Sequence, residues 1–458
     1  MVFSSVVFLY FYLPAVLLVY FLFPRKLRNL TLLLFSLLFY GWSEPKWIVI
    51  MLFSSVLDYT CSNIIEKNRE RRGVMRAALA VSMTLNLGIL CFFKYTDFLL
   101  DSLPFLADVP RLHMTLPVGI SFYTFQTMSC TIDVYRRQAK AQKNFVDFAA
   151  YVTLFPQLIA GPIVRYQEIA DQLTGRRETL ERFASGTGVF CAGLCKKVLL
   201  ANSLGAVWEQ VQSRSDAPAL SAWLGILCYT MQIYFDFSGY SDMAIGLGRL
   251  FGFELPMNFN YPYISQSVTE FWRRWHITLG TWFREYVYIP LGGNRAGKAK
   301  QLRNLLIVWF LTGLWHGASW NFVLWGMFYG LLLIGEKFCW GKAIAKAPRA
   351  LRHLYVMLAV VLGWSLFSFT ELPALGRFLR ALFGANGLAE VWTGYQLKSC
   401  ALLLTAGILC CTPLPKKLWQ KCSAKAEWLM PVLCTLALAV CTSSLINASY
   451  NPFLYFRF

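Results

Sequence analysis

Between Leu305 and Gly335 the chain carries no Asp, Glu, Lys or Arg, and His316 stands near the middle of that stretch, within Leu314-Trp315-His316-Gly317-Ala318-Ser319-Trp320. A run this long exceeds the roughly 20 residues that cross a bilayer as a helix. An ionisable group at that depth is costly, so it faces protein or a water-filled cavity and marks a functional site by default. The plain alternative is a neutral histidine hydrogen-bonded to a nearby carbonyl to fix helix packing.

The same apolar character recurs from end to end. Hydrophobic residues make up 57% of the chain and charged residues 15%, and the mean hydropathy is +0.48. A soluble protein carries about a quarter charged residues, so 458 residues of this composition read as one helical membrane domain over residues 1–458. The net charge of +19 comes from 43 Lys and Arg against 24 Asp and Glu. In a soluble chain that balance would suggest nucleic acid. Here the cations gather in short loops, at Arg25-Lys26-Leu27-Arg28, Lys67 to Arg76, Arg136 to Lys143 and Lys298 to Arg303. That is the positive-inside pattern, suited to an anionic cytoplasmic leaflet of the lipid bilayer, and it argues against a nucleic-acid partner. Most of the 13 cysteines lie inside apolar runs with no zinc-type spacing, so neither a disulfide framework nor a metal is expected. Residues 2–23 lack a basic leader and a small-residue cleavage site, and read as an uncleaved first membrane helix with its N-terminus outside.

About ten to twelve spans follow by length. Residues 2–23, 30–42, 47–65, 77–93 and 116–134 alternate with the basic loops. Residues 145–163 are interrupted by Pro156, Gly161 and Pro162 and read as a broken or re-entrant segment, which is tolerated only inside protein or beside a cavity. Candidate spans continue at 183–211 and 219–235, with a glycine-dotted stretch at 239–253. Residues 305–335 are expected to break or tilt at Gly313 and Gly317, and 354–369, 397–411 and 428–446 complete the set. No internal repeat is visible, which weakens a secondary-transporter reading.

Polar chemistry is densest from Asn258 to Arg295. Ser265 or Ser267 is a candidate N-cap for a helix reaching to about Tyr288. On such a helix Trp272, Trp275, His276 and Leu279 share a face, Glu270 pairs with Arg274, and Arg273 aligns with Arg284. An interfacial helix with an aromatic belt and snorkelling arginines explains the same pattern without catalysis. The basic loop at Gly292-Gly293-Asn294-Arg295 could hold the phosphates of a nucleotide-like donor, though a plain positive-inside loop is the better account of it, since no P-loop spacing is present. Tyr234 to Asp242 forms a second polar island. Asp236 and Asp242 either pair with the arginines above or cap a helix at a membrane face. His113 and His353 read as surface histidines.

These motifs resemble the membrane-bound O-acyltransferases, in the bacterial branch that includes the membrane subunit of alginate O-acetyltransferase. Tyr234 to Asp242, Asn258 to Tyr263, Phe271-Trp272-Arg273-Arg274-Trp275-His276, Trp282 to Arg295 and Leu314 to Asn321 carry the resemblance. The stretch from Phe155 to Pro162 and the tail from Asn451 to Phe458 add to it. The resemblance implies an all-α polytopic membrane protein, a ring of helices with re-entrant and interfacial segments around a central acyl-transfer tunnel. It implies His316 and His276 as the catalytic pair; from the polar motifs themselves Arg273, Arg284, Tyr286, Trp315, Asn321, Asn294, Arg295 and Asp236 are the candidate donor- or substrate-binding residues. Acetyl-CoA would be the cytoplasmic acyl donor, and an extracytoplasmic SGNH-type O-acetyltransferase or acyl-carrying protein would pass the acyl group to a polysaccharide. The setting would be a bacterial cytoplasmic (inner) membrane. Transfer to a hydroxyl needs a base and a donor to the developing oxyanion, and neutral imidazole suits the base role. His316 is expected as that base, with His276 polarising the carbonyl or orienting the donor. Competing readings are D-alanyl transfer to teichoic acid from a carrier protein, a lipid acyltransferase, and a proton-coupled transporter or channel.

Overall fold

The computed structural model describes residues 1–106, 108–295, 297–423 and 428–447, so the tail at 451–458 lies outside the described residues. Among the described residues every regular element is a helix, the form in which a single apolar segment satisfies its own backbone. Among the described residues five helices are long and apolar enough to cross a membrane: Pro45–Lys67, Arg72–Ser102, Leu180–Gln212, Arg349–Ser368 and Leu429–Asn447. The pair Ala401–Cys410 and Leu414–Cys422, bent by 75°, raises the number to six if counted as one span.

That is fewer than the apolar segments in the sequence, because several segments are short or divided. Residues 2–23 yield the shorter apolar helix Phe8–Leu22. Residues 305–335 divide into Lys298–His316 and Trp320–Phe338, with the expected break at Gly317. The opposite occurs at 219–253, where Ala219–Leu250 is a single helix. Its Gly239 is there for close packing: a Cβ would lie 2.8 Å from the Gly193 carbonyl oxygen.

Contacts divide the chain into two compact units, Met1–Phe190 with Ser241–Pro256, and Cys191–Tyr240 with Met257–Phe458. In the first, Asp58 is fully buried and ties three helices together. Its carboxylate accepts from Ser82 Oγ, from Thr131 Oγ1 at 2.6 Å and from Asn86 Nδ2 at 2.6 Å, so the buried carboxylate has the hydrogen bonds that make its burial tolerable. The interrupted segment behaves as its prolines suggest. Phe145–Thr153 ends, a short turn Phe155–Leu158 follows, and the chain runs on without regular structure to Tyr166. This stretch is buried and its freed backbone groups are met by neighbours. Ser36 Oγ accepts from the Phe155 amide at 3.1 Å, Gln157 Nε2 donates to the Tyr151 carbonyl at 2.7 Å, and Tyr151 OH donates to the Val164 carbonyl at 2.9 Å. Arg28, one of the loop cations, also holds Glu178 at 2.7 Å.

The second unit is organised by the antiparallel hairpin Lys298–His316/Trp320–Phe338. Its helices meet glycine to backbone: a Cβ on Gly313 would lie 2.3 Å from the Phe322 carbonyl oxygen, and one on Gly326 2.3 Å from that of Trp309. Small residues allow this approach between apolar helices. The helix Val268–Arg274 docks on the hairpin through Glu336, whose carboxylate accepts from the amides of Val268 and Thr269 at 2.5 and 2.8 Å. A carboxylate at a helix N-terminus meets both its orphan amides and its dipole.

The hairpin contact generates a direct expectation. Gly326→Ala should destabilise the protein by about 1–3 kcal/mol through overpacking, lowering the thermal unfolding midpoint in nanodiscs. Gly280→Ala, where a Cβ meets nothing within 4 Å, should leave it unchanged or slightly raised. Equal midpoints for the two variants would refute the close-approach argument.

Candidate active site

Two of the four histidines are exposed and two are buried. His113 and His353 are on the surface, His353 placing Nδ1 at 3.2 Å from the Ser265 carbonyl oxygen. His276 is 2% exposed and His316 7%. The two buried histidines belong to the second unit, and each sits where a helix stops.

His316 is the last residue of Lys298–His316, just before the extended Gly317. Its ring is enclosed by aromatic edges, with centroids 4.9 Å from Trp325, 5.3 Å from Phe367 and 4.9 Å from Trp315. Gly317 lets the chain turn here: a Cβ at that position would lie 2.2 Å from the Phe322 ring.

The continuous helix expected from Ser265 or Ser267 to Tyr288 is not formed. Ser267 does cap, its Oγ accepting from the Glu270 amide at 2.9 Å, and Glu270 does pair with Arg274 at 2.9 Å. The helix then ends at Arg274, and a second begins at Ile277. His276 is at the joint with φ 45°, in the left-handed region. Such a conformation costs a non-glycine residue roughly 1–3 kcal/mol and persists where surroundings impose it. Here the Asn258 carbonyl accepts from the Ile277 amide at 3.0 Å, and the Asn260 amide donates to the Arg274 carbonyl at 2.9 Å. The shared face of Trp272, Trp275, His276 and Leu279 is therefore replaced by a turn that aims His276 separately. Its Nδ1 lies 3.1 Å from Asn258 Oδ1, and its ring is 4.7 Å from Phe237 and 5.8 Å from Trp315. Trp315 thus stands against both histidines.

Aromatic rings extend this surround: Trp272 to Tyr329 at 4.8 Å, Trp272 to Trp325 at 5.5 Å and Trp275 to Trp364 at 4.7 Å. Tyr263 OH accepts from Trp364 Nε1 at 3.2 Å and donates to the Thr230 carbonyl. Two imidazoles in a low-dielectric, aromatic setting can exchange protons with a bound polar substrate and interact strongly with developing charge.

The other candidates scatter. Asn321 is buried and donates to the carbonyls of Leu366 and Phe367 at 3.3 and 3.4 Å, holding the end of Arg349–Ser368. Tyr286 is half-buried against Trp282 at 5.1 Å. Arg273, Arg284, Asn294 and Arg295 are exposed. Arg273 and Arg284 lie on separate helical segments, so the alignment expected from one continuous helix does not arise. The Gly292-Gly293 turn is held by Asn304, whose Nδ2 donates to the carbonyls of Leu291 and Gly293 at 3.1 Å each, and both glycines have positive φ. Asp236 does not cap a helix. It lies within Ala219–Leu250 and meets Lys197 at 2.5 Å, the two side chains 3% and 4% exposed. Asp242 is also internal to that helix. Lys197 escaped the sequence reading, although two adjacent lysines inside the candidate span 183–211 are a signal of the same kind as His316. Asn258 opened the dense constellation there without being singled out. Among the described residues no three His, Cys, Asp or Glu side chains form a metal-sized group.

The model of the membrane-bound O-acyltransferase family matches residues 134–376, a segment that contains both buried histidines. The probable alginate O-acetylase AlgI of Azotobacter vinelandii is 44% identical over 412 residues, covering 88% of this chain and 81% of that protein. The peptidoglycan O-acetyltransferase of Helicobacter pylori is 31% identical over 520 residues, covering 100% and 98%. The teichoic acid D-alanyltransferase of Streptococcus thermophilus is 29% identical over 232 residues, covering 47% and 56%.

The Lys197–Asp236 pair carries its own prediction. Lys197→Met alone should destabilise by about 3–5 kcal/mol, because it leaves a buried carboxylate without its cation, and adding Asp236→Leu should recover much of that loss. Unfolding of the two single variants and the double variant measures the coupling; additive losses would mean that the pair is not a unit.

Proposed function

Because the chain belongs to the membrane-bound O-acyltransferase family, and is a multi-pass membrane O-acyltransferase, we propose that it moves an acetyl group from cytoplasmic acetyl-CoA toward an extracytoplasmic polysaccharide. Residues 1–458 act as one membrane domain in this reading, in a bacterial cytoplasmic membrane with the N-terminus outside. An SGNH-type transferase or acyl-carrying partner completes delivery to the polymer. The observation that carries the reading is the pair of buried histidines, each at a helix break and both against Trp315, within the segment matched to the family. The activities for which the alginate and peptidoglycan relatives are named support acetyl as the acyl group and a glycan as the destination. The D-alanyltransferase relative matches about half of the chain at lower identity, which makes D-alanyl transfer the weaker choice.

His316 and His276 supply between them a proton acceptor for the hydroxyl and a donor for the developing oxyanion. Trp315 packs against both rings, and Asn321 fixes the helix end that carries Phe367 against His316. Arg273, Arg284, Tyr286, Asn294 and Arg295 lie where an anionic donor could be met on approach, and Asp236 acts through Lys197 on the packing of the unit.

The test is acetyl release from radiolabelled acetyl-CoA by purified protein in nanodiscs, with wild type beside His316→Ala and with correct membrane insertion of both verified. Loss of general acid–base catalysis should cut turnover by about 10²–10⁴-fold while donor binding persists. Persistent turnover in His316→Ala would remove that residue from the chemistry. If wild type leaves acetyl-CoA intact even with the extracytoplasmic partner present, the donor is another acyl species.

A further inference from the structure

Asn258 is fully buried, and its side-chain oxygen is the meeting point of three groups. His276 Nδ1 lies 3.1 Å away, Thr278 Oγ1 3.0 Å and the Thr278 amide nitrogen 3.4 Å. The Thr278 amide can only donate. The Asn258 atom it faces is therefore the carbonyl oxygen, not the amide nitrogen, and that oxygen can only accept. It follows that Nδ1 of a neutral His276 carries the ring hydrogen and donates it to Asn258. The other nitrogen, Nε2, then has a lone pair and no hydrogen. Nε2 is buried and has no hydrogen-bond partner among the described residues.

We propose that Asn258 is a positioning residue that locks His276 in the Nδ1–H tautomer, so that Nε2 stands ready to take the proton of the acceptor hydroxyl. This rests on the acyl-transfer reading above and divides its labour. While neutral, His276 in this tautomer cannot polarise a carbonyl by donating from Nε2, so in this proposal the donor role toward the oxyanion falls to His316. The same asparagine enforces the geometry as well as the tautomer. Its backbone carbonyl takes the Ile277 amide, which holds the left-handed turn at His276, while its side chain fixes the ring.

The step balances as follows. The hydroxyl O–H bond breaks, its proton passes to Nε2, and its oxygen forms a bond to the acyl carbon of the thioester. The tetrahedral oxyanion collapses and the carbon–sulfur bond breaks. The departing thiolate takes the proton back from Nε2, leaving ester, thiol and neutral imidazole. Throughout, the Nδ1–H bond to Asn258 persists, and it strengthens while the ring is positively charged.

The experiment uses full-length protein in nanodiscs, labelled with ¹⁵N-histidine. Only four histidines contribute, and His276→Gln assigns the signals of interest. Solid-state NMR distinguishes a ring nitrogen that carries hydrogen from one that does not. Wild type should show His276 with hydrogen on Nδ1 and a bare Nε2. Asn258→Asp keeps an accepting oxygen and should keep that tautomer, with turnover within about tenfold of wild type. Asn258→Leu keeps volume but removes the acceptor. It should give a mixture of tautomers and lose roughly 10²–10⁴-fold in kcat, the range associated with losing a base or its tautomer-fixing partner.

Hydrogen on Nε2 in the wild type overturns the proposal outright, and that spectrum needs no variant to fold. Asn258→Leu that retains both tautomer and turnover overturns it too, as does a loss of turnover with the tautomer unchanged, which would reduce Asn258 to a structural support. Absence of acetyl transfer in the wild type would count against the donor reading instead, while the spectra still decide what Asn258 does to His276.

Discussion

A helix that stops in an apolar surrounding frees amides and carbonyls that water cannot reach, and the protein itself must meet them. Much of the local structure follows from that constraint. At Leu154 to Tyr166 the partners are Ser36, Gln157 and Tyr151. At the joint between Arg274 and Ile277 they are the backbone groups of Asn258 and Asn260. At Gly317 the chain turns between two helices whose glycines bring them close enough to act as one body. The breaks are costly, and in the second unit they coincide with the two buried histidines.

The coincidence has a physical reason. A side chain in the middle of a helix points where the helical repeat sends it, whereas a residue at a break can be aimed independently. His276, with its left-handed backbone, and His316, at a helix end, are both freed from the helical face on which a periodic reading would place them. The aromatic rings around them supply bulk and low dielectric, which strengthens every electrostatic interaction with a bound reactant. Several polar groups of this unit are paired: Lys197 with Asp236, Glu336 with the amides of Val268 and Thr269, and Asn321 with Leu366 and Phe367. Imidazoles held this way are oriented in advance of any bound reactant.

Composition, hydropathy and the basic loops were enough to read an all-helical membrane protein, because a helix in lipid is specified by length and apolarity. His316 was legible for the same reason: an ionisable residue inside a long uncharged run is conspicuous. The proline- and glycine-marked breaks at 154–162 and at 317 were legible too, since those residues change backbone geometry directly. His276 was recognised through its motif, but its setting was misjudged. Seven residues of good helical periodicity on either side of it read as one continuous helix, and nothing local at Trp275-His276 announces a left-handed turn.

The sequence by itself thus determined the class of protein, the family motifs, the two histidines and the backbone breaks that glycine and proline encode, since each of these depends on residues near one another in the chain. Tertiary structure alone decided that Asp236 faces Lys197, that Gly239 serves packing, that Arg273, Arg284 and Arg295 remain on the surface, and that Asn258 holds His276. Those outcomes depend on which distant groups meet in a medium where an unmatched charge or amide is expensive, and pairwise satisfaction of that kind has no period to be read along the chain.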